Sequence, residues 1–480
     1  MSASLSFRDP AGCCARLGDR ILRVVRREAA GSFARFLDSP IGRRAVDEGR
    51  LIESRRLDGG EEREARERLA AAWPDLAVDG QDVLYEHPRV PFVSYPCEWP
   101  AEMLHAAAVS TLDLADRLLA GGWGLKDATP ANLLFRGPNP VWIDPLSVES
   151  RAPGDSLWLP YAQFCRTFLF PLLMWRIWGL NPAPFALLNR DGIEPETLYR
   201  LCGWGRRLRS PILTHVTLPV WLGRSSRSET AAARPPRPCD PEQARFVLRG
   251  LFASLRRALA QAAPPADSRT TWTEYMATHR YSEAGFAAKD ALVRGWLDEI
   301  RPRAVLDVGA NTGHFSLLAA RTGARVVAVD FDSAFMGRLW RQAAAAGADL
   351  LPLVVNLARP TPAVGWRNGE DAAFLTRAEG AFDTVLMLAL VHHLLVTERA
   401  PLPELAALAA RLTTAWALVE YVPPDDPMFR RIARGREALH AGLTDAVFAA
   451  AFGRWFEIAR RAPVPDTGRI LFLFRKKEQA

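Results

Sequence analysis

The chain has 480 residues, more than one ordinary hydrophobic core accommodates, so two or three domains are expected. Its composition, 49% apolar and 24% charged, is that of a globular protein and excludes a disordered or fibrous one. The 61 Lys and Arg against 54 Asp and Glu leave a formal charge of +7, but the cations are nearly all arginines scattered among acids. A stretch such as Glu61-Glu62-Arg63-Glu64-Ala65-Arg66-Glu67-Arg68 reads as a solvated helix rather than a nucleic-acid surface.

Six cysteines, at 13, 14, 97, 165, 202 and 239, make no Cys-x-x-Cys pair, zinc spacing or disulfide framework, which suits a reducing cytoplasm. The N-terminus carries acids and arginines early and has no unbroken apolar run, so no signal peptide is expected.

In chain order, residues 1–95 mix helical patterns with a few short strands. Residues 96–262 are mostly helical, with a helix over Ala101–Ala120 and a strand–turn–strand around Leu133–Ile143. The apolar run Phe168–Leu180 is too short for a membrane span and is interrupted by Pro171 and Arg176. A core helix is expected there, with an interfacial membrane contact as the alternative. The Ser-, Pro- and Arg-rich segment Arg224–Gln243 is expected to be an exposed loop, and Ala262–Arg269 a linker to a last domain over 270–480.

Within the helical region, Asp127, Asn132 and Asp144 stand in the segments Leu125–Phe135 and Pro140–Asp144. Their spacing resembles the catalytic loop of protein-kinase-like and aminoglycoside-phosphotransferase folds, in which an Asp is the base and an Asn and a second Asp bind magnesium. The resemblance implies a small-lobe-like region over 1–95 and a helical lobe over 96–262. It departs from the family at Leu125, where a His is usual, and at Pro145, where a Gly is usual. No lysine occurs before Lys126, so the phosphate-gripping lysine is missing unless an arginine replaces it. These three residues are metal ligands only if that site is live; otherwise no metal is expected. A turn with a helix cap is the plainer reading.

From residue 304 onward, apolar strands alternate with helices: strands at Ala304–Val308, Ala324–Val329, Leu351–Val355, Thr384–Leu390 and Trp416–Val422, then Trp455–Ala459 and Ile470–Arg475. Such alternation predicts a parallel sheet covered on both faces, with ligands at the strands' C-terminal ends. There Asp307-Val308-Gly309-Ala310-Asn311-Thr312-Gly313 joins the first strand to the first helix, and Asp330 ends the second strand, with Asp332 as a nearby competitor. A dinucleotide fingerprint needs glycines where Asn311 and His314 stand, so it is not matched.

The loop instead resembles motif I of class I S-adenosylmethionine (SAM)-dependent methyltransferases, with an acid two residues before the first glycine and another glycine four residues after it. The resemblance implies SAM as cofactor. It places Asp307 at the methionine end, the backbone of Gly309, Ala310, Asn311 and Gly313 around the ligand, Asp330 on the ribose with Phe331 beside it, and Asn356 next to the adenine.

The SAM sulfonium is an activated donor, so the protein's main task is to align the acceptor and exclude water; a base is needed only for a poor nucleophile. His392 and His393, read as the end of the fourth strand, are candidates for that base, or else they pack or cap the next segment. Glu420, ending the fifth strand, is a second candidate. Trp272, Tyr275 and Tyr281 could form a lid over the cofactor or pack between helices.

The expected fold class is α/β: a Rossmann-like class I methyltransferase sheet with flanking helices, preceded by an α+β kinase-like, mostly helical domain. The expected function is a cytoplasmic bacterial SAM-dependent methyltransferase acting on a small-molecule or glycan acceptor, with no nucleic-acid partner and no transmembrane segment. The alternatives are a bifunctional methyltransferase/phosphotransferase and a non-catalytic SAM-binding regulatory protein.

Overall fold

The computed structural model describes residues 4–6, 8–76, 78–225, 240–265 and 282–478. The N-terminal strands β1 (Ser4–Leu5), β2 (Gly12–Leu17), β3 (Arg20–Val25), β4 (Arg55–Arg56) and β5 (Val83–His87) form an antiparallel sheet in the order β1-β2-β3-β5-β4. Helices cover it through Phe33, Ala65 and Leu69, all buried.

The Ala101–Ala120 helix lies where periodicity places it, with Met103, Leu104, Ala107, Ala108, Leu112, Leu114 and Ala115 buried. The strand–turn–strand is the hairpin β7 (Leu133–Arg136) and β8 (Asn139–Trp142), beside the pair β6 (Trp123–Leu125) and β9 (Val148–Ser150). Gly137 turns the hairpin at φ +55. The Phe168–Leu180 run is a core helix as far as Trp178, with Phe168, Phe170 and Leu172 buried, and Gly179 at φ +69 ends it before the exposed Leu180.

The expected loop at Arg224–Gln243 is helical at both described ends: one helix runs to Ser225, and another starts at Pro241 behind an Asp240 cap. Asp240 accepts from the amides of Glu242 and Gln243, which nucleates that helix two residues before the loop was expected to end. The rest of the segment lies outside the described residues.

The last domain is a seven-stranded sheet in the order β12-β11-β10-β13-β14-β16-β15. The strands are β10 (Ala304–Val308), β11 (Arg325–Asp330), β12 (Leu350–Val354), β13 (Phe382–Met387), β14 (Thr413–Tyr421), β15 (Phe456–Pro463) and β16 (Ile470–Lys476). The first five are parallel, while β16 runs antiparallel between β14 and β15. The order turns back at β10, so the crevice at its C-terminal end is the natural ligand position.

The two halves share one apolar core. A continuous buried cluster runs from Phe92, Trp99 and Leu118 to Leu306, Leu353 and Phe374. The Phe92 ring lies 6.0 Å from Phe374 and 5.5 Å from Phe382. Arg377 pairs with the fully buried Glu98 and donates to Val93 O at 2.5 Å. On the Ser333–Ala346 helix, Gly337 makes room for Glu102: a Cβ there would stand 2.0 Å from Glu102 Oε2. Arg341 pairs with the same carboxylate at 3.1 Å.

Candidate active site at the sheet's switch point

Where β10 ends, three residues take left-handed backbone: Gly309 (φ +73), Asn311 (φ +51) and Gly313 (φ +80). Glycine adopts this region freely, and asparagine is among the few side chains that tolerate it, so Asn311 can stand where a glycine is usual. Sterics add to this at Gly313, where a Cβ would stand 2.2 Å from Leu339 Cδ1, and less at Gly309, where it would stand 3.0 Å from Leu390 Cδ1. The amides of Gly309 and Ala310 both donate to Val329 O, at 2.9 and 3.1 Å, which ties the loop to β11. Gly313 then opens the His314–Arg321 helix.

Two buried carboxylates flank this loop. Asp307 accepts from Ser316 Oγ at 2.5 Å, and burial pushes its pKa up to about 6. Asp330, the last residue of β11, accepts from the amides of Asn311 and Asp332, both at 2.9 Å. Burial pushes it up to about 6 as well, against those amides. Asp332 caps the next helix by accepting from Ala334 and Phe335 at 2.9 and 3.3 Å. Its carboxylate thus has a structural task, which separates it from Asp330. Phe331, between them, is half exposed. Asn356 lies two residues beyond β12, not at its end, because its side chain accepts from the Ala358 amide at 2.9 Å and turns the chain.

His392 and His393 are not on a strand. β13 stops at Met387, Ala389 turns at φ +51, and both histidines lie in the Val391–Val396 helix. Past the turn, Leu390 lies against Gly309. The His392 ring is buried, 4.3 Å from that of His393, and neither of its nitrogens has a hydrogen-bond partner among the described residues. It lines a small cavity of about 10 Å³ with Leu402, Tyr421, Leu443 and Phe448. Burial, with Arg469 adding, holds His393 down at about 4; burial also lowers His392 well below the ordinary value. Both imidazoles are therefore neutral at neutral pH, with a lone pair available.

Glu420, near the end of β14, is fully buried and accepts from Lys289 Nζ at 2.5 Å. Arg469 lies 3.6 Å from its other oxygen and pairs with Asp426 at 2.8 Å. Sequence reasoning missed Lys289. Its signal was present: it shares a helix face with Gly285, Val293 and Leu297, all buried, and a lysine there needs a carboxylate from another element.

In the N-terminal half, Asp144 accepts from Arg23 Nη1 at 2.8 Å. Arg23, on β3, also donates to His87 Nε2 at 2.9 Å and to Ile143 O at 3.2 Å. Asp127 is exposed, 3.4 Å from Gln163 Nε2, and the Asn132 side-chain nitrogen is buried without a partner. No group of three or more His, Cys, Asp or Glu among the described residues could hold a metal ion. Tyr95, Thr129, Pro130, Phe185 and Arg190 line a small pocket of about 60 Å³ with Val364 and Asp371 of the last domain, and Arg190 pairs with Asp371 at 3.3 Å. Trp272, Tyr275 and Tyr281 lie outside the described residues.

Residues 306–412 match a family described as a methyltransferase domain. Over 481 residues the chain is 29% identical to the nodulation protein NoeA of Rhizobium meliloti (strain 1021), covering 98% of this chain and 96% of that protein. Among solved structures it is similar to magnesium protoporphyrin IX methyltransferase from Synechocystis PCC 6803 with bound S-adenosylhomocysteine, at 19% identity and a TM-score of 0.31, covering 43% of this chain and 93% of that one. It is also similar to the N-methyltransferase NodS of Bradyrhizobium japonicum WM9, at 12% identity and a TM-score of 0.31, covering 41% and 99%.

Proposed function

We propose that this chain, whose C-terminal domain is a class I SAM-dependent methyltransferase, methylates a small-molecule or glycan acceptor in the cytoplasm, with a kinase-like N-terminal region that selects the acceptor. The observation that carries the reading is the left-handed Gly309–Asn311–Gly313 loop held between the buried carboxylates of Asp307 and Asp330. A backbone cradle that a Cβ would fill, beside an acid able to accept two hydroxyls, fits a nucleoside cofactor. When bound, SAM supplies a methyl group on a sulfonium that leaves without acid assistance.

In this reading Asp330 accepts the ribose hydroxyls, Phe331 packs on the adenine with Asn356 at its edge, and Asp307 faces the methionine end. His392 or His393 takes the proton of a hydroxyl acceptor. Glu420 serves as the partner of Lys289 rather than as a base, since a carboxylate neutralised by a cation is a poor proton acceptor. The pocket at the Arg190–Asp371 pair joins the N-terminal region to the last domain, which supports a part for that region in placing the acceptor. Full-length likeness to a nodulation protein supports treating both halves as one functional unit.

Cofactor binding is expected to depend on pH. Ribose hydroxyls donating to Asp330 favour its ionised form, so affinity for S-adenosylhomocysteine is flat above about pH 6 and falls below it. The slope approaches about tenfold per pH unit for each carboxylate that must ionise. Without added nucleoside the sign reverses. Stabilisation by the protonated acids is complete below their ordinary value, 3.8, and is lost as pH rises through about 6. Calorimetric titration across pH 5 to 8 checks the affinity window, and thermal unfolding of the ligand-free protein between its acid limit and neutral pH checks the opposite sign.

The activity is tested by incubating the full chain with methyl-labelled SAM and glycan or small-molecule fractions of bacterial extracts. Labelled product is expected. One of His392→Phe and His393→Phe should lower kcat by about 10²–10⁴-fold with cofactor affinity kept. A folded, cofactor-binding protein that labels no fraction would favour the non-catalytic reading. The unpartnered Asn132 amide favours a second reading, a live phosphotransferase half, which requires magnesium–ATP binding that Asn132→Ala abolishes. The Arg23–Asp144 pair weighs against it.

A further inference from the structure

The helices Pro195–Leu201, Trp204–Arg207 and Leu218–Ser225 meet at one corner of the helical region. Arg207 lies over the Tyr199 ring at 4.0 Å and the Trp204 ring at 5.8 Å. Thr217 Oγ1 donates to Arg207 O at 2.8 Å, which ties the start of the Leu218–Ser225 helix to the Trp204–Arg207 helix. Arg206 over Trp178, at 5.6 Å, joins the end of the Phe170–Trp178 helix and the adjoining Leu180 to the same corner.

From this corner Trp204 is 70% exposed, Leu222 68% and Leu208 54%, and Leu180, Leu201 and Leu218 are exposed as well. Single exposed leucines need no explanation, but six large apolar side chains at one corner do. The charge there is one-sided too. Across residues 195–223 four arginines, Arg200, Arg206, Arg207 and Arg209, stand against a single acid, Glu196.

We propose that this corner docks the protein on a bilayer surface carrying anionic headgroups. The leucines and Trp204 enter the boundary between headgroups and acyl chains, and the guanidinium groups pair with the lipid phosphates. Attachment is peripheral: no helix among the described residues is long and apolar enough to cross a membrane. The leucines favour lipid over RNA, because nucleic acid offers stacking faces to a tryptophan and arginines but no medium for aliphatic side chains.

The test is sedimentation of the full-length protein with vesicles of phosphatidylcholine alone and of phosphatidylcholine with phosphatidylglycerol. Binding to the anionic vesicles, weakened by added salt, is expected. It should fall by about tenfold or more in both Trp204→Ser/Leu208→Ser and Arg206→Glu/Arg209→Glu. S-adenosylhomocysteine binding, unchanged in both variants, controls for folding. The proposal is overturned if the wild type stays in solution with anionic vesicles, or if the variants sediment as it does. It is equally overturned if Trp204→Ser/Leu208→Ser converts a wild-type dimer to a monomer in light scattering, or if RNA binding shows the same dependence on these residues.

Discussion

Lys289→Met is expected to destabilise the protein by about 3–5 kcal/mol, the cost of leaving one partner of a buried ion pair uncompensated. Its partner Glu420 is fully buried on β14, and Lys289 is itself 3% exposed at the side chain, so water reaches neither of them. Arg469 stands 3.6 Å from Glu420 and is already engaged by Asp426 at 2.8 Å, so it substitutes poorly. The control is Lys289→Met with Glu420→Met, which removes both charges and is expected to recover most of the loss. Urea unfolding followed by circular dichroism measures both. A single variant within about 1 kcal/mol of the wild type would show that the pair is solvated in solution.

The second large effect concerns the junction. Residues 282–480 expressed alone are expected to aggregate and to bind no S-adenosylhomocysteine. The fragment would expose Phe374 and Phe382, which pack on the Phe92 ring, and would leave Arg377 without the Glu98 carboxylate. Loss of the Phe92 side chain alone is worth about 3–5 kcal/mol by analogy with core Phe→Ala truncations. Soluble yield and calorimetry of the fragment check this. A monomeric fragment with full cofactor affinity would mean that the shared core is dispensable to the methyltransferase half.

Much of the last domain was legible because its signals are local. β10 and the His314–Arg321 helix fall where apolar runs and glycines put them, and Asp307 and Asp330 end up flanking one loop. The histidine pair was misplaced because LMLALVHHLL is apolar throughout and fits strand or helix alike. What ends the strand is the left-handed turn at Ala389 and the seating of Leu390 on Gly309, a contact between distant segments. The same holds for Lys289, whose partner lies on β14. The N-terminal sheet was only faintly readable: β1 and β4 have two residues each, too few to show a period. Nor does anything in the sequence alone say that Gly337 exists to admit Glu102.

The central claim, a nucleoside cofactor between Asp307 and Asp330, is tested most directly by calorimetric titration of S-adenosylhomocysteine into the wild type and Asp330→Ala at neutral pH. Saturable binding to the wild type is predicted, weakened by at least about a hundredfold in the variant, since two hydrogen bonds to a charged group are worth about 3 kcal/mol or more. The variant's circular dichroism should match the wild type. A folded wild type that takes up no S-adenosylhomocysteine, or an Asp330→Ala variant that binds it as tightly, would contradict the account.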